Sequence, residues 1–172
     1  VMDRMAARFV HAAIVGRYQT HGIRALLEEI AQFMVRLGLD VSFDAATAQN
    51  IGVTGYEALT HAEMGRRCDL AVVVGGDGTM LGIARELARQ NLPLVGINQG
   101  RLGFLTDIPL AAMEETLGPM LAGRYVEERR TMLVATVVRA AGREEAEPAL
   151  NDVVVNRGGG GSVVGTAAAQ KS

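Results

Sequence analysis

Two hydrophobic patterns alternate along the first two thirds of the chain. Short continuous apolar runs are typical of strands buried on both faces of a parallel sheet, and apolar residues recurring every three or four positions are typical of helices. The runs predict strands at Ala12–Val15, Leu39–Phe43, Leu70–Val74 and Pro93–Ile97. The helical spacing predicts helices at His21–Leu37, Thr54–Arg67, Thr79–Gln90 and Leu110–Leu121, with a loop at Asp44–Thr54. Strands separated by helices in this way indicate an α/β fold, an open parallel sheet with flanking helices.

The pattern changes after Gly123, where the helical spacing stops. Two β-type runs, Thr131–Arg139 and Ala149–Asn156, predict the start of an antiparallel β-rich second domain. A run of four glycines begins at Gly158 and is followed by small residues without a core pattern, which is typical of a flexible linker. We therefore expect an α/β domain at 1–124, the beginning of a β-rich domain at 125–157 and a flexible tail at 158–172.

Composition and charge narrow the function classes. The 172 residues are 49% hydrophobic, and their net charge of −2 with 4% aromatic residues gives no support to a nucleic-acid partner. No apolar run approaches the roughly 20 residues of a membrane-spanning helix, so we expect no membrane partner. Cys68 is the only cysteine, which excludes an internal disulfide, argues against a zinc site and favours a cytoplasmic location. The only lysine is Lys171, so the body of the chain has none for a Walker-type phosphate loop.

The sharpest motif is Gly75-Gly76-Asp77-Gly78-Thr79, which lies between a predicted strand and a predicted helix. Glycines there let backbone amides approach a phosphate, and a helix N-terminus adds roughly half a positive charge. Asp77 could hold a metal ion or take a proton from an attacking hydroxyl. Alternatively, Asp77 only caps the helix and the glycines form a tight turn. The dinucleotide fingerprint is absent, because Leu81 stands where its third glycine is required.

A second glycine-rich stretch, Gly96–Asp107, follows the next predicted strand and so lies on the same edge of the sheet. Its three glycines, together with Asn98, Arg101 and Phe104, suit a loop that clamps a ligand. The alternative is a glycine-rich turn with Phe104 and Leu105 folded into the core, and the stretch taken alone favours that alternative.

A third candidate is the polar pair Asn151-Asp152 within the second β-type run. Two adjacent polar side chains at the start of a strand could both reach a ligand. They could equally end the turn that follows Pro148.

In this order and spacing, the three segments resemble the bacterial NAD kinase family. Gly-Gly-Asp-Gly-Thr-Met-Leu at 75–81 resembles the phosphate-site motif of that family, and 96–107 resembles its second glycine-rich stretch. Asn-Asp-Val-Val-Val at 151–155 is similar to its Asn-Glu/Asp motif. The resemblance extends from about Ala12 to Arg157.

The resemblance implies an N-terminal α/β domain and a larger β-rich domain that completes the site, in a family that forms homo-oligomers. It implies transfer of phosphate from ATP or polyphosphate, with a divalent cation such as Mg²⁺, to the adenosine ribose 2′-hydroxyl of NAD, giving NADP. By the same resemblance Asp77 is the catalytic proton acceptor or site organiser, Gly78 contacts the dinucleotide and Phe104 lines the pocket. Asn151 and Asp152 would hold a ribose or adenine. The remaining nucleotide-binding residues implied are Gly75, Gly76, Thr79, Asn98 and Gly103, and no metal ligand is assigned.

The family continues with a Gly-Ser-Thr-Ala-Tyr type segment that nothing after Arg157 matches. We therefore expect the chain to correspond to the N-terminal part of the family, with a tail at 158–172 that is not of the family, and its activity alone stays open. A lipid kinase of the diacylglycerol type is the alternative enzyme, because the Gly-Gly-Asp-Gly-Thr element also occurs there. Phe104 and Asn151-Asp152 favour the NAD kinase pattern instead. A non-catalytic nucleotide-binding fragment is the third interpretation.

Overall fold

The computed structural model describes residues 9–16, 22–100, 103–138, 142, 144–150, 153–156 and 163–166. The chain divides into two compact units, Val1–Glu127 and Glu128–Ser172. The sequence places the corresponding boundary between residues 124 and 125.

The first unit is built on a six-stranded sheet in which every described strand pair is parallel. The strands are β1 (His11–Gly16), β2 (Asp40–Asp44), β3 (Glu57–Leu59), β4 (Leu70–Val74), β5 (Leu94–Asn98) and β6 (Ile108–Pro109). Their spatial order is β3-β2-β1-β4-β5-β6, so the order reverses its direction between β1 and β4. Ligands of open α/β sheets collect outside the carboxyl ends of the strands at such a reversal.

Helices connect these strands and cover the sheet. They are α1 (Ile23–Arg36), α2 (Ala45–Ile51), α3 (His61–Arg67), α4 (Asp77–Leu87) and α5 (Met113–Leu121), with short 3₁₀ turns at Ala88–Gln90 and Leu110–Ala112. Alternate residues of β4 belong to two separate buried clusters, Val72 and Val74 to one and Ala71 and Val73 to the other. This strand is therefore buried on both faces, as its continuous apolar run predicts, and the expected α/β fold is confirmed.

The predicted loop at Asp44–Thr54 is wrong, because this segment contains α2. Asp44 Oδ2 accepts hydrogen bonds from the backbone amide and the hydroxyl of Thr47, both at 2.9 Å, and so caps the first turn. Gly52, with φ of 63°, ends the helix in the left-handed conformation. The small polar residues and alanines of this segment show no helical hydrophobic periodicity. The Asp44 cap stabilises the helix that the pattern does not reveal.

The predicted helix at Thr54–Arg67 is wrong in its first half, which contains the edge strand β3 before α3 begins. Thr60 and Glu63 form a capping box: the Thr60 hydroxyl accepts from the Glu63 amide, and the Glu63 carboxylate accepts from the Thr60 amide. Pairing of β3 with β2 is a tertiary contact that local spacing does not reveal. Leu59 and Met64 are buried, as expected.

The predicted helix at Leu110–Leu121 begins later than expected. Pro109 belongs to β6, where it pairs with Asn98, and is followed by a 3₁₀ turn before α5 starts at Met113. Gly123, with φ of 97°, follows the helix end as predicted.

In the described part of the second unit, β7 (Leu133–Val138) pairs antiparallel with β8 (Glu144–Ala149), and β9 (Val154–Asn156) pairs antiparallel with β10 (Val163–Thr166). An antiparallel region after the α/β unit is thus confirmed, although the predicted run Ala149–Asn156 divides between β8 and β9. Strand β10 lies within the segment for which a flexible tail is expected. It pairs with β9 in an antiparallel arrangement.

Among the described residues, no helix combines the length and the apolar character needed to cross a bilayer.

Candidate functional site

The two glycine-rich segments meet at the carboxyl ends of β4 and β5. These strands pair in register, with Val74 opposite Ile97, and the Gly75 amide donates a 2.9 Å hydrogen bond to the Ile97 carbonyl. The motif at 75–79 then turns directly into α4, which begins at Asp77. Because both strands end at the same edge, the loop after β5 lies against the first turn of α4.

Asp77 is bound to that loop through both carboxylate oxygens. Oδ2 accepts a 2.8 Å hydrogen bond from the Phe104 amide. Oδ1 accepts from the Leu105 amide at 3.0 Å and from the amide and the hydroxyl of Thr106, both at 3.1 Å. The carboxylate therefore clamps residues 27 to 29 positions further along the chain.

This clamp contradicts the interpretation in which Asp77 only caps its own helix. The N-cap of α4 is Gly76, and α4 has no side-chain cap, so Asp77 does not cap its own helix. The Phe104 amide, followed by the amides and hydroxyl of the neighbouring loop residues, lowers the pKa of Asp77 below its usual value of 3.8, against an opposing effect of desolvation. A carboxylate stabilised in this way is a weak proton acceptor while these bonds persist.

Thr106 and Asn98 extend this hydrogen-bonded clamp into the protein interior. Thr106 is completely buried, and its hydroxyl accepts a 2.9 Å hydrogen bond from Asn98 Nδ2. Asn98 is 4% exposed, and its Oδ1 accepts from the Gly100 amide at 2.7 Å. Asn98 was expected among the nucleotide-binding residues, but in the structure its amide group is engaged inside the protein. Thr106 has no sequence signal of its own, because a single threonine between Leu105 and Asp107 fits any loop.

Gly103 is required by the closeness of the clamp. A Cβ at this position would overlap the Asp77 carboxylate, so any larger residue displaces one of the two partners. The Gly103 amide also donates a 3.2 Å hydrogen bond to the Thr106 carbonyl and closes the loop.

The glycines of the first motif differ in their surroundings. A Cβ on Gly75 would lie 2.6 Å from Thr79 Oγ1, so Gly75 is kept small by the first turn of α4. A Cβ on Gly76 or Gly78 meets no described atom within 4 Å, and neither residue has a positive φ. Nothing in the described part of the chain therefore requires glycine at these two positions, and the backbone there is open to a ligand.

Phe104 and Leu105 have opposite environments. The Phe104 side chain is 95% exposed, whereas Leu105 packs against the buried cluster that includes Met80. The alternative in which both residues fold into the core is thus wrong for Phe104. An aromatic ring in solvent, held by its own backbone at the site edge, presents a face on which a base could stack.

The pair Asn151-Asp152 lies outside the described residues. Its predicted contacts with a ribose or adenine stay predictions.

The described residues do not form a metal centre. No group of three or more His, Cys, Asp or Glu side chains among them is placed to hold an ion. Both oxygens of Asp77 already accept hydrogen bonds from four donors, so this carboxylate does not fit the role of a resident metal ligand.

Comparison with known proteins identifies the family. Residues 12–125 match the family model of the ATP-NAD kinase N-terminal domain. The chain belongs to the NAD kinase family. It is 56% identical over 164 residues to the NAD kinase of Methylibium petroleiphilum, a match that covers 93% of this chain and 54% of that protein. The resemblance stated from the motifs is therefore confirmed.

Two solved structures of NAD(H) kinases share the fold. The yeast NADH kinase complexed with NADH superposes with a TM-score of 0.68 at 19% identity, covering 85% of this chain and 48% of that one. An NAD kinase from Archaeoglobus fulgidus in complex with ATP superposes with a TM-score of 0.58 at 28% identity, covering 84% and 47%. The chain thus spans about half the length of the NAD kinases that it matches.

Proposed function

We propose that the chain forms the N-terminal nucleotide-binding part of an NAD kinase, which transfers phosphate from ATP to the adenosine ribose 2′-hydroxyl of NAD and yields NADP. The observation that carries the proposal is the open backbone at Gly76 and Gly78, at the N-terminus of α4 and beside the Asp77 clamp. Backbone amides at a helix N-terminus are suited to phosphate groups.

Relatives with bound ligands support the choice of substrates. The yeast relative was solved with NADH and the Archaeoglobus relative with ATP, so this fold accepts both kinds of nucleotide in those proteins. For this chain, NAD as acceptor and ATP as donor are proposals, with polyphosphate as an alternative donor.

The site residues take separate roles in this proposal. Gly75 and Thr79 shape the turn, and Gly76 and Gly78 leave room for phosphate oxygens. Asp77 organises the site by holding the loop, with Gly103 allowing the close contact. Phe104 offers its exposed ring to a base of the nucleotide. Asn151 and Asp152 are proposed to contact a ribose or adenine.

The divalent cation is proposed to arrive with the substrate. Since the described residues form no metal centre, the phosphate oxygens of ATP would be the main ligands of the cation. A cytoplasmic location and assembly into homo-oligomers are further proposals that rest on the family.

A paired activity assay tests the proposed function. One sample is the chain itself, and the other is the chain fused to the C-terminal half of the Methylibium petroleiphilum NAD kinase, hereafter the fused protein. Each is incubated with NAD, ATP and Mg²⁺, and NADP is measured. Calorimetry with NAD and with ATP is run on both samples, and diacylglycerol replaces NAD in a control reaction.

NADP formation by the fused protein is the expected result. Binding of ATP and NAD without turnover in either sample would support a non-catalytic nucleotide-binding protein instead. Transfer of phosphate to diacylglycerol but not to NAD would support the lipid-kinase alternative.

A further inference from the structure

Thr106 is a polar residue with no access to solvent, and its hydroxyl lies between two other polar side chains. The hydroxyl oxygen is 2.9 Å from Asn98 Nδ2 and 3.1 Å from Asp77 Oδ1. These contacts connect the end of β5, through the loop, to the first residue of α4.

The direction of this hydrogen-bonded chain is fixed by its two ends. The Gly100 amide can only donate, and it donates to Asn98 Oδ1, so the amino group of Asn98 must face Thr106. The amino group donates to the Thr106 hydroxyl, whose single hydrogen is then free to be donated to Asp77. An ionised carboxylate accepts it, and no alternative orientation satisfies every partner.

The Thr106 hydroxyl differs from the other three donors to Asp77 because it is a side-chain group that itself accepts a hydrogen bond from Asn98. The amides of Phe104, Leu105 and Thr106 belong to a stretch of loop backbone that Asn98 contacts through a longer, 3.3 Å hydrogen bond from its Nδ2 to the Thr106 carbonyl. The hydroxyl is anchored through Asn98, which lies at the end of a central strand and is 4% exposed. It therefore ties the carboxylate to the sheet and not only to the loop.

We propose that Thr106 is a positioning residue of the site: its hydroxyl, oriented by Asn98, fixes the carboxylate of Asp77 against the sheet. The meaning of this for phosphate transfer rests on the proposed function. The effect on Asp77 itself does not, and it is measured without nucleotide.

The side chain of Thr106 allows its hydroxyl to be separated from its methyl group. The methyl carbon packs over β5, where it would lie 2.7 Å from a Cβ on Gly96. Thr106→Val keeps the branched shape and removes the hydroxyl. Thr106→Ser keeps the hydroxyl and removes the methyl group. Thr116, an exposed residue of α5, provides the matched control Thr116→Val.

The experiment is an NMR titration of the ¹³C-labelled Asp77 carboxyl group in the intact chain, together with amide exchange. We expect Thr106→Val to raise the pKa of Asp77 toward its usual value, because one donor to the charged form is lost. The amides of Phe104 and Leu105 should exchange on the order of tenfold faster. Thr106→Ser and Thr116→Val should leave the pKa of Asp77 unchanged.

An unchanged pKa of Asp77 in a folded Thr106→Val chain would overturn the proposal, as would an equal rise in Thr106→Ser. Folding is checked by protection of the Ile97 amide in β5. If Thr106→Val does not fold, Thr106→Ala compared with Thr106→Ser isolates the same hydroxyl, because both variants lack the γ-methyl group of threonine. If the proposed NAD kinase function proves wrong, these NMR measurements still test the role of Thr106, because they are made without nucleotide.

Discussion

Asp77 and Phe104 are joined by a 2.8 Å hydrogen bond from the backbone amide of Phe104 to Asp77 Oδ2, although they lie 27 positions apart in the chain. The ring of the same phenylalanine is 95% exposed. A single acidic residue at the start of α4 therefore fixes the backbone that carries an aromatic side chain in solvent. The sequence predicts that the two glycine-rich segments share one edge of the sheet, and the structure joins them through the Asp77 carboxylate.

Replacing Asp77 by asparagine should loosen this unit without unfolding the sheet. Asparagine has the shape of aspartate, but its amino group would face backbone amides that also donate. We expect the amides of residues 104–106 to exchange on the order of tenfold faster, measured by NMR. In the fused protein, NADP formation should fall on the order of 10²-fold, because the loop that carries Phe104 is no longer held in place.

The matched control is Asp107→Asn, the same substitution at an exposed position of the same loop. Its exchange rates and activity should equal those of the unsubstituted protein. Exchange rates at 104–106 that stay unchanged in Asp77→Asn would show that the clamp does not hold the loop.

Gly78→Ala should separate binding from stability. A methyl group at Gly78 meets no described atom within 4 Å, and the residue lies in α4, so the melting temperature should not fall. The methyl group would occupy the space proposed for phosphate oxygens, so ATP binding measured by calorimetry should weaken by about tenfold or more.

Gly82→Ala is the control for Gly78→Ala, because Gly82 also lies in α4 and a methyl group added there also meets no described atom within 4 Å. It should bind ATP normally. Equal affinities of the two variants would contradict the assignment of phosphate to the first turn of α4.

Acid should weaken the clamp in a defined range of pH. The pKa of Asp77 in the folded chain lies below its usual value of 3.8, chiefly because the Phe104 amide binds the ionised form. The stabilisation is therefore complete above about pH 4 and is lost as the pH falls through the lowered pKa. Denaturant unfolding between pH 7 and pH 3 should show a shallower acid loss in Asp77→Asn than in Asp107→Asn. Parallel acid curves would contradict this.

Asp44→Ala should destabilise the first unit. The Asp44 carboxylate is almost completely buried, caps α2 through Thr47 and lies 3.0 Å from His61 Nε2. Loss of the cap alone should lower the unfolding free energy by about 1–2 kcal/mol, measured by urea denaturation. Asp40→Ala, at the exposed start of the same strand, should change it by less than about 0.5 kcal/mol. Equal losses in the two variants would show that the cap contributes little.

The spacing of apolar residues predicted the elements whose burial is visible in their own sequence. The apolar runs of β1, β4 and β5 and the spacing of α1 identified these elements within one or two residues, because a segment buried on both faces is apolar throughout. The same pattern missed α2 and β3, whose formation depends on the Asp44 cap and on pairing with β2.

For the site, the sequence alone predicted its position, because two glycine-rich segments follow neighbouring parallel strands and must share one edge of the sheet. The order and spacing of three motifs identified the family. Only the tertiary structure decided what Asp77 touches, that Asn98 faces inward and that Thr106 lies between them. These contacts follow from the register that sets Val74 opposite Ile97, and that register arises from packing between residues that are distant in the chain.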